Sequence, residues 1–299
     1  MPFADINDHH IYYEVHGNGP RTVVLSHGFL LDHDMWAPQV PVLAKDHRVV
    51  VWDERGHGMT DCHGPFDYWD SASDLMGLLD ALGTDKAVLV GMSQGGWLSL
   101  RATLNNPDRV EGLMFVDSTT QPLPPEKAEG FIRMAELWCT IGPVDEVSSA
   151  CADVQFVDGF DAMVWLAKWR ARPPASWSHP CNAIVTHLRS TDETLDERLK
   201  SVICPSAIIH GAQDAGLPLQ HAQEMTRSLP NFTELTVVEG AGHCPPSPIP
   251  TRSTPHCSAS SSTYEPAAAP PRAPVSQLQA KFRVSSLAHS CRRFGIRKG

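Results

Sequence analysis

A serine stands between glycines in Gly91-Met92-Ser93-Gln94-Gly95, where the apolar run 87–90 ends and a helix-like pattern begins. A G-x-S-x-G pattern set between a strand and a helix is the context of a nucleophile elbow. The turn must be tight and strained if it is to lift the hydroxyl clear of the strand. Strand and helix then approach so closely that side chains at Gly91 and Gly95 would clash. The helix opening at Ser93 would also direct its partial positive charge at the hydroxyl.

Serine is a poor nucleophile alone and needs a base, an acid to orient that base, and donors for a developing oxyanion. The chain supplies an acid and a base in the order that follows such a serine in strand-to-helix folds. "SAIIHGAQDAGLP" places Asp214 just past an apolar run, and "TVVEGAGHCP" places His243 in a glycine-flanked loop after the last one. Asp117 in "LMFVDSTT" also closes an apolar run and is the competing acid. The oxyanion donors are expected to be the backbone N–H groups of Gln94, next to the serine, and of Phe29 in "LSHGFLLD". His27 sits in a tight turn before Gly28, and with Asp53, Arg55 and His57 of "DERGHGMT" it reads as loop-fixing. Asp32 and His33 are candidates to line the pocket.

These residues need a frame. "RTVVLSHG", "HRVVVWD", "KAVLVG", "VEGLMFVD", "SAIIHG" and "ELTVVEG" are short apolar runs separated by helical spacings, the pattern of a parallel sheet with crossover helices. "IYYEVHG" alternates instead and reads as an antiparallel edge strand. Ala72, Leu75, Met76, Leu79 and Leu82 recur at helical spacing, as do Ala222, Met225 and Leu229 after Pro218. The expected fold is α/β, a mostly parallel central sheet flanked by helices, with residues 1–120 and 201–244 forming its core. Residues 121–200 interrupt the alternation with segments such as "AEGFIRMAELW" and "DAMVWLAKWRAR" and hold Trp138, Trp165, Trp169 and Trp177. They are expected to form a helical cap over the C-terminal ends of the strands, where such folds bind ligands. In that cap, Met134, Trp138, Met163, Trp165 and Trp169 either roof the pocket or pack the cap upon itself.

The 299 residues are 42% hydrophobic and 19% charged, as in an ordinary globular protein. A net charge of −10 argues against a nucleic-acid binder, and no run of apolar residues is long enough to span a membrane. The first residues do not read as a secretory signal, and the eight cysteines lack C-x-x-C spacing, so reduced thiols and a cytoplasmic setting are expected. Residues 245–299 differ, with eight Lys/Arg against the single acid Glu265 and long runs of Pro and Ser. A disordered basic tail is expected there. Its last part, "VSQLQAKFRVSSLAHSCRR", carries Val275, Leu278, Phe282 and Leu287 on one side of a weak amphipathic helix.

"SHGFLLDHDMW", "VVVWDERGHGMT", "VLVGMSQGG", "GAQDAGLP" and "EGAGHC", in that order and spacing, resemble the α/β-hydrolase fold family in its capped, epoxide-hydrolase-like branch. The resemblance spans roughly residues 9–244. Serine at position 93 separates the chain from family members that use aspartate there, and sets it nearer esterases, enol-lactonases, carbon–carbon bond hydrolases and cofactor-free haloperoxidases. The implied activity is hydrolysis of a small, fairly apolar ester or lactone by Ser93, His243 and Asp214, with no metal or cofactor. Perhydrolysis, carbon–carbon cleavage and non-catalytic ligand binding are the alternatives. The family's usual final helix after the histidine is replaced here by "CPPSPIPTRSTPHCSASSS", which prolines keep from being helical. The swing in composition there is what a shifted reading frame or splice variant would produce, the alternative being a natural tail for an acidic partner.

Overall fold

The computed structural model describes residues 3–156, 160–190 and 195–244, together with positions 275, 278, 279 and 281. Eight strands form one sheet in the order β1-β2-β4-β3-β5-β6-β7-β8. They are β1 (Phe3–Ile6), β2 (His9–His16), β3 (Thr22–Ser26), β4 (Arg48–Trp52), β5 (Ala87–Met92), β6 (Val110–Val116), β7 (Ser206–Gly211) and β8 (Phe232–Val238). From β4 to β8 every neighbouring pair is parallel, while β1 and β2 run antiparallel at one edge. The apolar runs therefore became strands. Strands β3, β5 and β7 are buried along their whole length, because helices cover both faces of a parallel sheet. The first strand was not expected. "FADI" is short and half exposed, and its pairing with β2 across the Asn7-Asp8 turn, where both φ angles are positive, is a hairpin signal without glycine.

The helices are α1 (Val40–Leu43), α2 (Tyr68–Ala81), α3 (Gln94–Asn105), α4 (Pro125–Ile141), α5 (Asp145–Gln155), α6 (Phe160–Ala171), α7 (Ser178–Arg189), α8 (Leu195–Arg198) and α9 (Leu219–Ser228). Helix α2 starts where Asp67 accepts from the N–H groups of Trp69 and Asp70, a capping box completed by the Asp70 side chain. It buries Ala72, Leu75, Met76 and Leu79, the residues whose spacing marked it. Helices α4 to α8 lie between β6 and β7. Trp138 packs edge-on against Trp169 at 5.1 Å and Trp177 at 5.7 Å, so these tryptophans hold the inserted helices together. No helix among the described residues is long and apolar enough to cross a membrane.

Past Pro245, four positions bear on the expectation of disorder. Residues 275, 278, 279 and 281 are helical, and Val275 and Leu278 are wholly buried in the main core. The Val275 side chain takes the space beside Gly112 of β6. The Gln279 amide nitrogen lies within reach of Ile208 O at 3.1 Å, Glu234 O at 3.2 Å and Thr236 Oγ1 at 2.8 Å, joining β7 to β8. Lys281 pairs with Asp46. At those positions a short apolar spacing outweighs the composition around it. The other residues of 245–299, Phe282 and Leu287 included, lie outside the described residues.

Candidate functional site

Ser93 follows β5 directly and forms the N-cap of α3, with φ 50° and ψ −117°. This backbone is strained for any residue with a side chain. Ser93 N–H donates to Val116 O of the neighbouring strand at 3.0 Å, and Ser118 Oγ donates to Ser93 O at 2.8 Å. The turn is fixed from both sides. A side chain on Gly91 would put its Cβ 2.1 Å from Gly95 O, and one on Gly95 would meet Ser26 O at 2.3 Å. Both contacts are with backbone and cannot relax cheaply. Gly95→Ala is accordingly expected to cost about 3 kcal/mol and lower the melting temperature by about 10 °C. A melt within a degree or two of wild type would refute the close-approach argument.

The loops after β3, β7 and β8 open on the same edge of the sheet as the serine turn, which is how residues far apart in sequence meet. His243 Nδ1 lies 2.8 Å from Asp214 Oδ2. The other oxygen of Asp214 accepts from the N–H groups of Gly216 at 2.7 Å and Leu217 at 2.8 Å. Because Asp214 is an acceptor, the Nδ1–H of His243 is the donor of this bond, which leaves Nε2 facing away from the carboxylate. Burial would raise the Asp214 carboxyl, but the charge and hydrogen bond of His243, with the Leu217 N–H, hold it below its ordinary value.

Ser93 and His243 line one pocket of about 550 Å3, its open mouth included. Phe29 lines it too, and Gln94 starts α3 beside it. Asp117 lies close to Asp214 but is held differently: its Oδ1 accepts from Gly211 N–H at 2.6 Å, and among the described residues it makes no bond to His243. Burial, and then the nearby Asp214 charge, push Asp117 well above the ordinary carboxylate range. The geometry brings Asp214, the acid the sequence favoured over Asp117, to the histidine.

The rest of the pocket wall, apart from Gln155, is largely apolar. Phe131 and Met134 come from α4, Cys151 and Val154 from α5, and Ile184 and Leu188 from α7. Met134 is the one residue of the expected roof that reaches it: Trp138, Trp165 and Trp169 are buried in the packing of the inserted helices, and Met163 is 72% exposed. Asp32 and His33 do not line it. Asp32 caps the turn at His33–Trp36 and pairs with Lys168, and His33 donates to Asp53 at 2.8 Å.

A family model described as the alpha/beta hydrolase fold matches residues 21–139. A protein of a Caulobacter species named "Putative carbamate hydrolase RutD" is 33% identical over 249 residues, covering 78% of this chain and 88% of that protein. The chain belongs to the α/β-hydrolase fold family. The 3-oxoadipate enol-lactonase 1 of Acinetobacter baylyi is 29% identical over 206 residues, covering 66% of this chain and 74% of the enzyme. Among solved structures, a thermophilic esterase from Thermogutta terrifontis superposes with a TM-score of 0.72 at 24% identity, covering 98% of this chain and 97% of that one. An enol-lactonase from Burkholderia xenovorans does so with a TM-score of 0.68 at 24% identity, covering 79% and 91%. At such identity these likenesses speak to the fold.

Beside the serine turn the α/β-hydrolase has a buried polar cluster in which Glu54, Tyr68 and Asp74 join the loop-fixing residues His27, Asp53, Arg55 and His57 that the sequence singled out. Glu54 is 1% exposed, and the Gln94 side-chain amide donates to its Oε2 while Tyr68 O–H donates to Gln94 Oε1 at 3.0 Å. His27 is loop-fixing as expected, accepting from Glu54 N–H at 3.0 Å through Nε2. Arg55 grips Asp74 with two bonds of 2.6 Å, and His57 lies 3.2 Å from Arg55 O. Asp53 receives the N–H groups of His33 and Met59. Burial raises Glu54 from 4.5 to about 8, against the pull of Arg55 and the Gln94 amide. The unfolded chain releases this proton near 4.5 and the folded chain near 8, so stability is full below 4.5 and falls as pH rises between the two values. Glu54→Gln removes the proton and the effect. Its melting temperature should fall less than that of wild type between pH 5 and 8, by the equivalent of roughly 3–4 kcal/mol. Parallel curves would show Glu54 to be ordinary.

Two groups of ligand-type side chains cluster among the described residues: Asp32, His33 and Asp53, and Asp117, His210 and Asp214. Both already have partners of their own, Lys168 and the His33–Asp53 bond in the first, Gly211 N–H and His243 in the second.

Proposed function

We propose that this protein is a serine hydrolase cleaving a small, uncharged, largely apolar carboxylic ester or lactone through an acyl-enzyme. The observation that carries the reading is the strained, glycine-crowded Ser93 turn sharing a pocket with a histidine whose Nδ1 is held by a buried carboxylate. Ser93 Oγ attacks the carbonyl carbon and His243 Nε2 accepts its proton. Asp214 keeps the ring in the tautomer that can do so and stabilises the imidazolium formed. The N–H groups of Phe29 and Gln94 point donors at the new oxyanion, helped by the positive end of α3. His243 then protonates the leaving oxygen and activates the water that releases the acyl group. None of these steps calls for a metal or cofactor.

Relatives named as a carbamate hydrolase and an enol-lactonase, and structural neighbours named as esterases, agree with acyl transfer in general. Labelling with a fluorophosphonate probe and peptide mapping tests the reading: modification of Ser93 is expected, and a folded protein that resists it would overturn it. Perhydrolysis and carbon–carbon cleavage would use the same three side chains, so labelling is common to them; ester turnover distinguishes them.

The substrate's charge follows from the walls. The described lining includes Ser93, Gln155 and His243, with the Trp97 N–H already given to Thr119 O and a neutral Cys151 thiol, and no Lys, Arg, Asp or Glu. A free carboxylate on the substrate would enter without a partner, at a cost of several kcal/mol. Hence kcat/KM for p-nitrophenyl butyrate should exceed that for p-nitrophenyl hydrogen succinate by about 100-fold, a difference near 3 kcal/mol. Equal values would mean that the acyl group does not lie in this pocket.

A further inference from the structure

Gln155 is the last residue of α5 and stands out in the pocket wall as a polar side chain among apolar ones. It is 8% exposed, and a buried amide in an apolar wall is unfavourable unless it is hydrogen-bonded. Its bonds go in two directions. Nε2 donates to Phe29 O at 3.4 Å. Oε1 accepts from Cys244 Sγ at 3.7 Å, and the Gln155 backbone carbonyl accepts from Cys244 N–H at 2.9 Å. Phe29 carries the expected oxyanion donor, and Cys244 directly follows His243.

The oxyanion loop needs such a hold. Leu30, next to Phe29, has a φ of 64°, a left-handed backbone that a leucine does not prefer. The inserted helices grip this strained loop again at Leu30 O, which accepts from Trp169 Nε1 at 2.6 Å, and at Asp32, which pairs with Lys168 at 2.8 Å. Among these contacts, Gln155 alone also holds the histidine loop.

We propose that Gln155 is a positioning residue that ties the seating of α5 to both the oxyanion-donor loop and the His243 loop, so that the two halves of the site are aligned together. The role in turnover rests on the serine-hydrolase reading; the role in ordering the two loops does not. Methionine has nearly the shape of glutamine without its donor and acceptor, so Gln155→Met keeps the pocket filled and the backbone bond to Cys244.

The test compares the full-length wild type and Gln155→Met by hydrogen–deuterium exchange of peptides covering residues 27–32 and 239–244, alongside turnover of p-nitrophenyl butyrate. The variant should exchange faster in both peptides, while the α2 peptide 68–81 is unchanged. Its kcat should fall about 10-fold with KM within about 2-fold, since misaligned groups act on the transition state more than on binding. Unchanged exchange in either loop overturns the proposal, and so does faster exchange with an unaltered kcat. A wild type without Ser93-dependent turnover would count against the hydrolase reading, and the exchange data would still decide the tie. Should Gln155→Met fail to fold, Gln155→Leu is judged by the same two readouts.

Discussion

Ser93→Gly is expected to lose at least about 10^4-fold in kcat and, at the same time, to melt a few degrees above wild type. The loss follows from removing the only atom that can form the acyl-enzyme; what remains is the catalysis that oxyanion donors and binding supply to a water. The gain follows from the backbone. A serine at φ 50° and ψ −117° is in a conformation that costs about 1–3 kcal/mol for a residue with a Cβ and little for glycine. Glycine gives back part of that through the entropy of the unfolded chain, leaving about 1 kcal/mol, or a shift of about 2–4 °C at this size. Ser93→Ala separates the two effects, because it keeps the strain and loses the hydroxyl. It should be as inactive as the glycine variant and melt near wild type. Thermal melts of the three proteins beside p-nitrophenyl butyrate turnover are sufficient. If glycine melts no higher than alanine, the turn stores no strain and its geometry is not what presents the nucleophile.

How much of this was legible beforehand depended on range. The central strands could be read because burial on both faces demands nearly uninterrupted apolar residues, as in "TVVLS" and "AVLVGM", and β2 because its sequence alternates as an edge strand does. The serine turn could be read because its glycines are forced by contacts only a few residues or one strand away. Asp214 is favoured as the acid by its place in the chain order between Ser93 and His243, while Asp117, which also closes a buried strand, competes with it until the 2.8 Å from Asp214 to His243 Nδ1 decides. Gln155 and Glu54 could not be read. Each is an ordinary polar residue by type, and its meaning lies in partners such as Phe29 O and the Gln94 amide, 126 and 40 positions away along the chain. At positions 275 and 278 the two buried side chains were outweighed by the prolines and serines before them.

That ambiguity between the acids sets up the sharpest comparison. Asp214→Asn should lower kcat by about 10^4-fold, whereas Asp117→Asn should change it by less than about 5-fold. An asparagine at 214 either turns an N–H toward His243 Nδ1 or offers a neutral oxygen; the first forces the wrong tautomer, and the second leaves the imidazolium of the transition state without a counter-charge. Asp117 is in the opposite position. Burial and the Asp214 charge push it well above the ordinary carboxylate range, and asparagine resembles a carboxyl in shape and can still accept from Gly211 N–H. The two carboxyls are neighbours, and the 2.8 Å from Asp214 to His243 Nδ1 is what tells them apart, Asp117 bonding instead to Gly211 N–H. A profile in which Asp117→Asn abolishes turnover and Asp214→Asn spares it would invert the assignment and require the histidine loop to sit differently in the working enzyme.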